Sequence, residues 1–191
     1  MYYTCYGTDS RGKGKGELLA FAYSVDGRNW TKSYPPNVTH EVLLDDGTVM
    51  TDSNIIFLGG VKEHDVVLVN DPEYPFRLIA NKSVMQDTYT NMTYICMWKS
   101  KDGVNFIDEK IVVQNKFDSQ PSVIVKDNIL KVYHRMRNWY ISARCIGVMY
   151  LDLGGNIVSP LTKLSNTLYY NSAAIQIDDH RELLLPTYYN E

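Results

Sequence analysis

Cysteine is scarce and scattered. Cys5, Cys96 and Cys145 each stand alone in an apolar stretch, with no Cys-x-x-Cys pair. An odd, dispersed set supplies neither a disulfide framework nor a zinc-ligand spacing, so these thiols read as small buried hydrophobes. The four histidines show no ligand spacing either, and no metal or other cofactor is expected. No apolar run approaches the ~20 residues of a membrane-spanning helix, so no membrane partner is expected. Basic residues are in slight deficit, 19 Lys and Arg against 22 Asp and Glu. That excludes the positive field on which nucleic-acid binding depends. The glycines at Gly12, Gly14 and Gly16 lack the strand–loop–helix context of a phosphate loop and read as a flexible hairpin. The opening MYYTCYG is strand-like and unlike a secretory leader. A leader upstream of it would make the protein extracellular or periplasmic, so the compartment stays open. The Asn-x-Ser/Thr sequons at Asn29, Asn37, Asn81 and Asn91 are read as chance.

Tyrosine is abundant, with fifteen against five Phe and three Trp. It suits half-buried strands and also surfaces that hold polar, ring-shaped ligands. Short runs rich in Val, Ile, Tyr and Leu recur, among them 18–24, 65–70, 93–99, 121–125, 129–135 and 145–151. Turn signals separate them: Asp26-Gly27, Asp46-Gly47, Asp102-Gly103, Lys126-Asp127-Asn128 and Gly154-Gly155. No stretch shows a 3.6-residue period. The 191 residues therefore read as one all-β domain of antiparallel meanders.

Two features repeat. The first is a strand, an Asp-Gly turn and an aromatic. Ser24, Asp26, Gly27, Asn29 and Trp30 match Ser100, Asp102, Gly103, Asn105 and Phe106, with a degenerate copy around Asp152. An Asp side chain folds onto backbone two residues on, and Gly allows φ > 0. Trp30 and Phe106 are both expected to be buried wedges between sheets. The second is Asp-Ser-Asn/Gln at a strand start, at Asp52 and Asp118, with an echo at Asn171-Ser172-Ala173. Its spacing suits one four-stranded propeller blade per unit. This divides the chain into a partial blade (1–51), two blades (52–117 and 118–170) and the start of another (171–191). The expectation is a β-propeller with three to three and a half blades present. Further blades come from a longer chain or from self-association through the open sheet edges.

The segments YYTCYG, ELLAFAYSVDGRNWTK, NDPEYPFRLIA, YICMWKSKDGVNF and FDSQPSVIVKDNILKVYHRMRN resemble five-bladed β-propeller glycosidase-like proteins of the superfamily that holds glycoside hydrolase families 32 and 43. The resemblance implies a five-bladed fold and a carbohydrate as partner. It supports the fold better than the activity. Glycoside hydrolysis requires two carboxyl groups across the scissile bond. Asp52 and Asp118, at the starts of innermost strands, are the candidate catalytic pair, and the alternative role for each is to tie the strand start. Gln120, His134, Arg137 and Arg144 are candidates for substrate binding, Arg144 because it matches an arginine of the resembled family. Arg135 shares a strand face with Arg137. Asp71, in Asn70-Asp71-Pro72, reads as a structural turn between two middle strands. The expected function is a glycoside hydrolase-like protein acting on carbohydrate. The alternative is a non-catalytic propeller that binds sugar or protein.

Overall fold

The computed structural model describes residues 1–8, 14–43, 47–50, 54–58, 60–85, 91–114, 119–138, 143–164 and 169–188. Every strand pairing in them is antiparallel, and no helix occurs among the described residues. Sheet I holds β1 (Tyr2–Thr8), β2 (Gly14–Phe21) and β5 (Ile55–Phe57). A small hairpin joins β3 (Val42–Leu43) to β4 (Val49–Met50). Sheet II is a meander of β6 (Val61–Leu68), β7 (Phe76–Met85), β8 (Asn91–Ser100) and β9 (Phe106–Val113). Sheet III repeats the plan with β10 (Ser119–Lys126), β11 (Ile129–Asn138), β12 (Ala143–Leu151) and β13 (Ile157–Lys163). Sheet IV consists of β14 (Tyr169–Gln176) and β15 (Glu182–Tyr188).

The sheets stack face to face, so the central ones are apolar on both sides. From sheet II, Ile79, Ile95, Met97 and Val112 pack against Val123, Leu130, Val132, Met149 and Leu151 of sheet III. The opposite side chains, Leu78, Ala80, Tyr94, Cys96, Trp98 and Phe106, pack against Leu19 and Ile56 of sheet I. This is why β8 reads as a continuous apolar run rather than an alternation. Each such Leu or Ile contributes about 1.5–3 kcal/mol by burial. Sheet III meets Ala174 and Leu184 of sheet IV through Ile124, Tyr133, Ile146 and Val148.

The Asp-Gly turns form as their residue types dictate. In the first, Asp26 Oδ1 accepts from the N–H groups of Arg28 and Asn29, each at 2.8 Å, and Oδ2 accepts from Asn29 Nδ2. Asp102 makes the same bonds to Val104 and Asn105. In both, the serine hydroxyl two residues earlier donates to the aspartate. Asp152 and Asn156 repeat the pairing in sheet III. The second and third turns dock on the preceding sheet. Tyr2 Oη donates to Gly103 O (2.6 Å), and Lys110 Nζ donates to Gly154 O (2.9 Å).

Arg77 explains the Asp-Pro segment. It is 2% exposed on β7. Its NH2 group meets Asp71 Oδ2 at 2.7 Å, NH1 donates to Tyr74 O, and Nε donates across to Leu153 O of sheet III at 2.9 Å. Asp71 Oδ1 also accepts from the N–H groups of Glu73 and Tyr74. This turn joins the first strand of sheet II to the second, not two middle strands as the sequence suggested.

Two other expectations are corrected. Ile55–Phe57, after Asp52-Ser53-Asn54, pairs with β2 in sheet I rather than opening sheet II. Tyr23, just past the end of β2, bridges to Thr31, and β2 itself meets β5 at Leu19 and Ala20. These two places together match the edge that β9 alone forms in sheet II. The similar Asp-Ser segments therefore precede strands of different rank, an outer one at β5 and a first one at β10. Second, Phe106 is buried (9% exposed) but Trp30 is 45% exposed. Phe106 lies against Tyr2 and Phe57 of sheet I. No sheet stands in that place before the first turn among the described residues.

Candidate functional site

The first strands of sheets II, III and IV come together, with β10 lying beside both β6 and β14. Each strand breaks its register near its start: between Lys62 and His64, between Ser119 and Ser122, and between Tyr169 and Asn171. In β6 and β10 the irregularity includes a polar residue with left-handed backbone, Glu63 at φ 45° and Gln120 at φ 54°. Left-handed φ is uncommon for residues with a Cβ, and bulges of this kind re-aim side chains.

Both bulges open on one cavity of about 330 Å³. Glu63, His64 and Asp65 of β6 line it with Gln120, Pro121 and Ser122 of β10 and Ala173 of β14. Asp65 Oδ2 accepts from the N–H of Val123 at 2.7 Å, tying β6 to β10. One sheet further on, Ser122 Oγ accepts from the N–H of Ala174 at 3.0 Å. The same junction is thus made with a carboxylate once and a hydroxyl once.

The electrostatics are those of a half-dry polar site. Burial pushes the Asp65 carboxyl above the usual carboxylate range, against the opposing pull of the Val123 and Val66 N–H groups. Burial also holds the His64 imidazole below its usual value, offset in part by a hydrogen bond with the Tyr2 main chain. Asn81 Nδ2 donates to Glu63 Oε2 at 3.0 Å, which braces that carboxylate from β7. Several buried polar atoms in and around the cavity have no hydrogen-bond partner among the described residues: His64 Nδ1, Asn81 Oδ1, Ser119 Oγ and Gln120 Oε1. An unmade bond at a buried polar atom costs about 1–3 kcal/mol, so such a cluster calls for an explanation.

Of the sequence candidates, Gln120 lines the cavity. Asp52 and Asp118 lie outside the described residues, although Ser119 places the end of the Asp118 segment at the start of β10. His134 is fully buried in β11, opposite Gly147, and shut off from solvent. Arg137 and Arg144 are backbone register partners across β11 and β12. Glu63, His64 and Asp65 were not singled out from sequence. The bulge at Lys62–His64 breaks the alternation that would have marked them. No group of three or more His, Cys, Asp or Glu suited to a metal ion occurs among the described residues.

No family model and no curated protein matches the chain. Two solved structures are similar to it. An endo-1,4-beta-xylanase from Bacteroides thetaiotaomicron has a TM-score of 0.46 at 13% identity, over 97% of this chain and 82% of that one. An exo-1,5-alpha-L-arabinanase from a bovine ruminal metagenomic library has a TM-score of 0.49 at 12% identity, over 97% of this chain and 63% of that one. At these values the likeness says nothing about chemistry.

Proposed function

We propose that this chain forms part of a β-propeller that acts on carbohydrate, with its ligand site in the cavity between the bulges of β6 and β10. The observation that carries this reading is the pair of bulges itself. Adjacent first strands depart from regular backbone at the same place, and each departure brings a polar side chain to the same cavity. The buried His64 Nδ1 and Gln120 Oε1 atoms can bond a ligand rich in hydroxyl groups. The sequence resemblance to propeller glycosidases points the same way.

In the hydrolytic form of this reading, Asp65 is the proton donor and Glu63 the second carboxylate, with Asp118 close by in sequence to β10. A carboxyl raised by burial keeps its proton to higher pH, as a general acid requires. Activity then falls as pH rises through the Asp65 value. The non-catalytic form keeps the same cavity as a sugar-binding site.

The test is a panel of neutral glycans assayed for hydrolysis and, by calorimetry, for binding, using wild type, D65N, E63Q, D118N and Q120A. Hydrolysis lost in D65N or E63Q with binding retained supports the enzyme. Binding lost in Q120A, with no hydrolysis by wild type, supports the binding module. Wild type that neither binds nor cleaves any glycan refutes the assignment.

A further inference from the structure

The cavity between the bulges of β6 and β10 holds more unmet hydrogen-bond acceptors than donors. Asn81, almost fully buried on β7, places Nδ2 at 3.0 Å from Glu63 Oε2. That occupies one oxygen of the carboxylate and leaves the other without a bond among the described residues. The His64 ring is hydrogen-bonded to the Tyr2 main chain in the sense that favours the protonated imidazole, so the nitrogen involved is a donor. Nδ1 has no partner, so Nε2 makes this bond, and in the neutral ring Nδ1 is an acceptor. Gln120 Oε1 is a third acceptor, also buried and unbonded. These three side chains line one cavity of about 330 Å³ together with Asp65. The strands that carry them are held side by side by the 2.7 Å bond from Val123 N–H to Asp65 Oδ2. The donors on the same wall are Gln120 Nε2 and the Ser122 hydroxyl, whose oxygen already accepts from Ala174 N–H at 3.0 Å. No Lys or Arg is among the described residues that line it. All the groups in this inventory belong to sheets II and III, the two four-stranded sheets.

We propose that this cavity selects an amino sugar with a free ammonium, a hexosamine in preference to a neutral hexose. The inference rests on the reading of the cavity as a carbohydrate site and narrows its ligand. An ammonium brings three N–H donors and no acceptor, whereas a hydroxyl donates a single proton. Three unmet acceptors lining one cavity are therefore better matched by one ammonium than by one hydroxyl. A hydrogen bond between ions is roughly twice as strong as a neutral one, so Glu63 supplies the larger part of the preference. Gln120 Nε2 and the Ser122 hydroxyl remain to donate to the oxygens of neighbouring sugar hydroxyls. Acetylation of the amine removes its charge and two of its donors, and adds a carbonyl to a wall already rich in acceptors. A uronate sets a like charge against Glu63 and is rejected on that ground.

The experiment is titration calorimetry of the wild-type chain with three tetrasaccharides, the β-1,4-linked oligomers of glucosamine, N-acetylglucosamine and glucose. They share ring, linkage and length and differ only at C2. The glucosamine tetramer, with its amines protonated, should bind roughly tenfold or more tighter than the glucose tetramer, and by a smaller margin as salt rises. The N-acetylglucosamine tetramer should bind no better than the glucose one. E63Q should remove most of the preference, and Q120A should weaken all three ligands. E73Q makes the same change in net charge at an exposed carboxylate outside the cavity and should keep the preference. Circular dichroism checks that the variants are folded, and the three-ligand comparison on wild type decides the matter without them. Equal affinity for the glucose and glucosamine tetramers, both lost in Q120A, overturns the inference and leaves the carbohydrate reading standing. A preference that survives E63Q, or that E73Q removes equally, overturns it as well, the latter by showing bulk charge attraction. Failure to bind any of the three overturns it too, and the wider glycan panel then decides whether the carbohydrate reading falls with it.

Discussion

His134 makes stability depend on pH in a way that can be isolated. The ring is 0% exposed within β11, and burial lowers its pKa from 6.5 to about 4, with a partial offset from the Arg135 main chain. In the unfolded chain the imidazole takes up a proton near its usual value; in the folded chain it resists. Between the two values the unfolded state binds more protons, so stability rises with pH and is lost on acidification. The stabilisation is complete above 6.5 and is gone once pH has fallen through about 4. At 1.36 kcal/mol per pH unit, acidification from pH 7.5 to 4.5 removes about 2.5 kcal/mol through this one group. Against a typical total of about 5–15 kcal/mol, that is readily measured. The assay is urea denaturation of wild type and H134L at both pH values, followed by circular dichroism. Other groups titrate too, notably Asp65 and His64, but they are common to both proteins and cancel in the comparison. H134L should lose about 2.5 kcal/mol less than wild type over the same interval. Equal losses in the two proteins would refute the claim that His134 is neutral and buried.

Two further outcomes follow from packing. R77A leaves Asp71 unpaired and the Tyr74 and Leu153 carbonyls unbonded at a buried position, so it should destabilise by about 3–5 kcal/mol in urea melts, and R77K should recover only part, lacking the fork. G103A and G27A meet the same left-handed backbone, φ 76° and 71°, but only G103A also drives a Cβ into Tyr2. Thermal melts should therefore show G103A more destabilised than G27A by about 1 kcal/mol or more, and a reversed order would undo the docking of the second turn.

Much of the architecture was legible because its signals are local. The Ser-x-Asp-Gly-x-Asn pattern carries its own hydrogen bonds, so Asp26 and Asp102 could be read as turn builders from sequence. The Asp71 turn could also be read locally, but its partner Arg77 could not, since the bond to Leu153 spans two sheets. The failures arose where pairing is non-local. Asp52-Ser53-Asn54 and Asp118-Ser119-Gln120 look alike, yet hydrogen-bonding partners decide strand rank, and β5 found β2. Conversely, Glu63 and Gln120 hold corresponding places in adjacent strands with little shared sequence around them. A bulge is defined by an extra residue relative to a partner strand, and a single strand read alone does not reveal it. Trp30 misled for a related reason: the motif places the aromatic, but the neighbouring surface decides whether it is covered.

Several of the side-chain bonds between sheets run the same way along the chain. Gly103 is held by Tyr2, Gly154 by Lys110, Asp179 O by Lys126, and Glu182 by Lys131 and Tyr133. In each of these, a later turn or strand is gripped by a sheet that precedes it in the chain. During synthesis on the ribosome, residues emerge in that same order, at about 5–20 per second. Sheet II is therefore out, and able to close, before the turn around Gly154 that it receives has been made. Each newly translated turn meets a finished surface rather than waiting for one, which shortens the time that the apolar faces of β8 and β12 stand open to other chains.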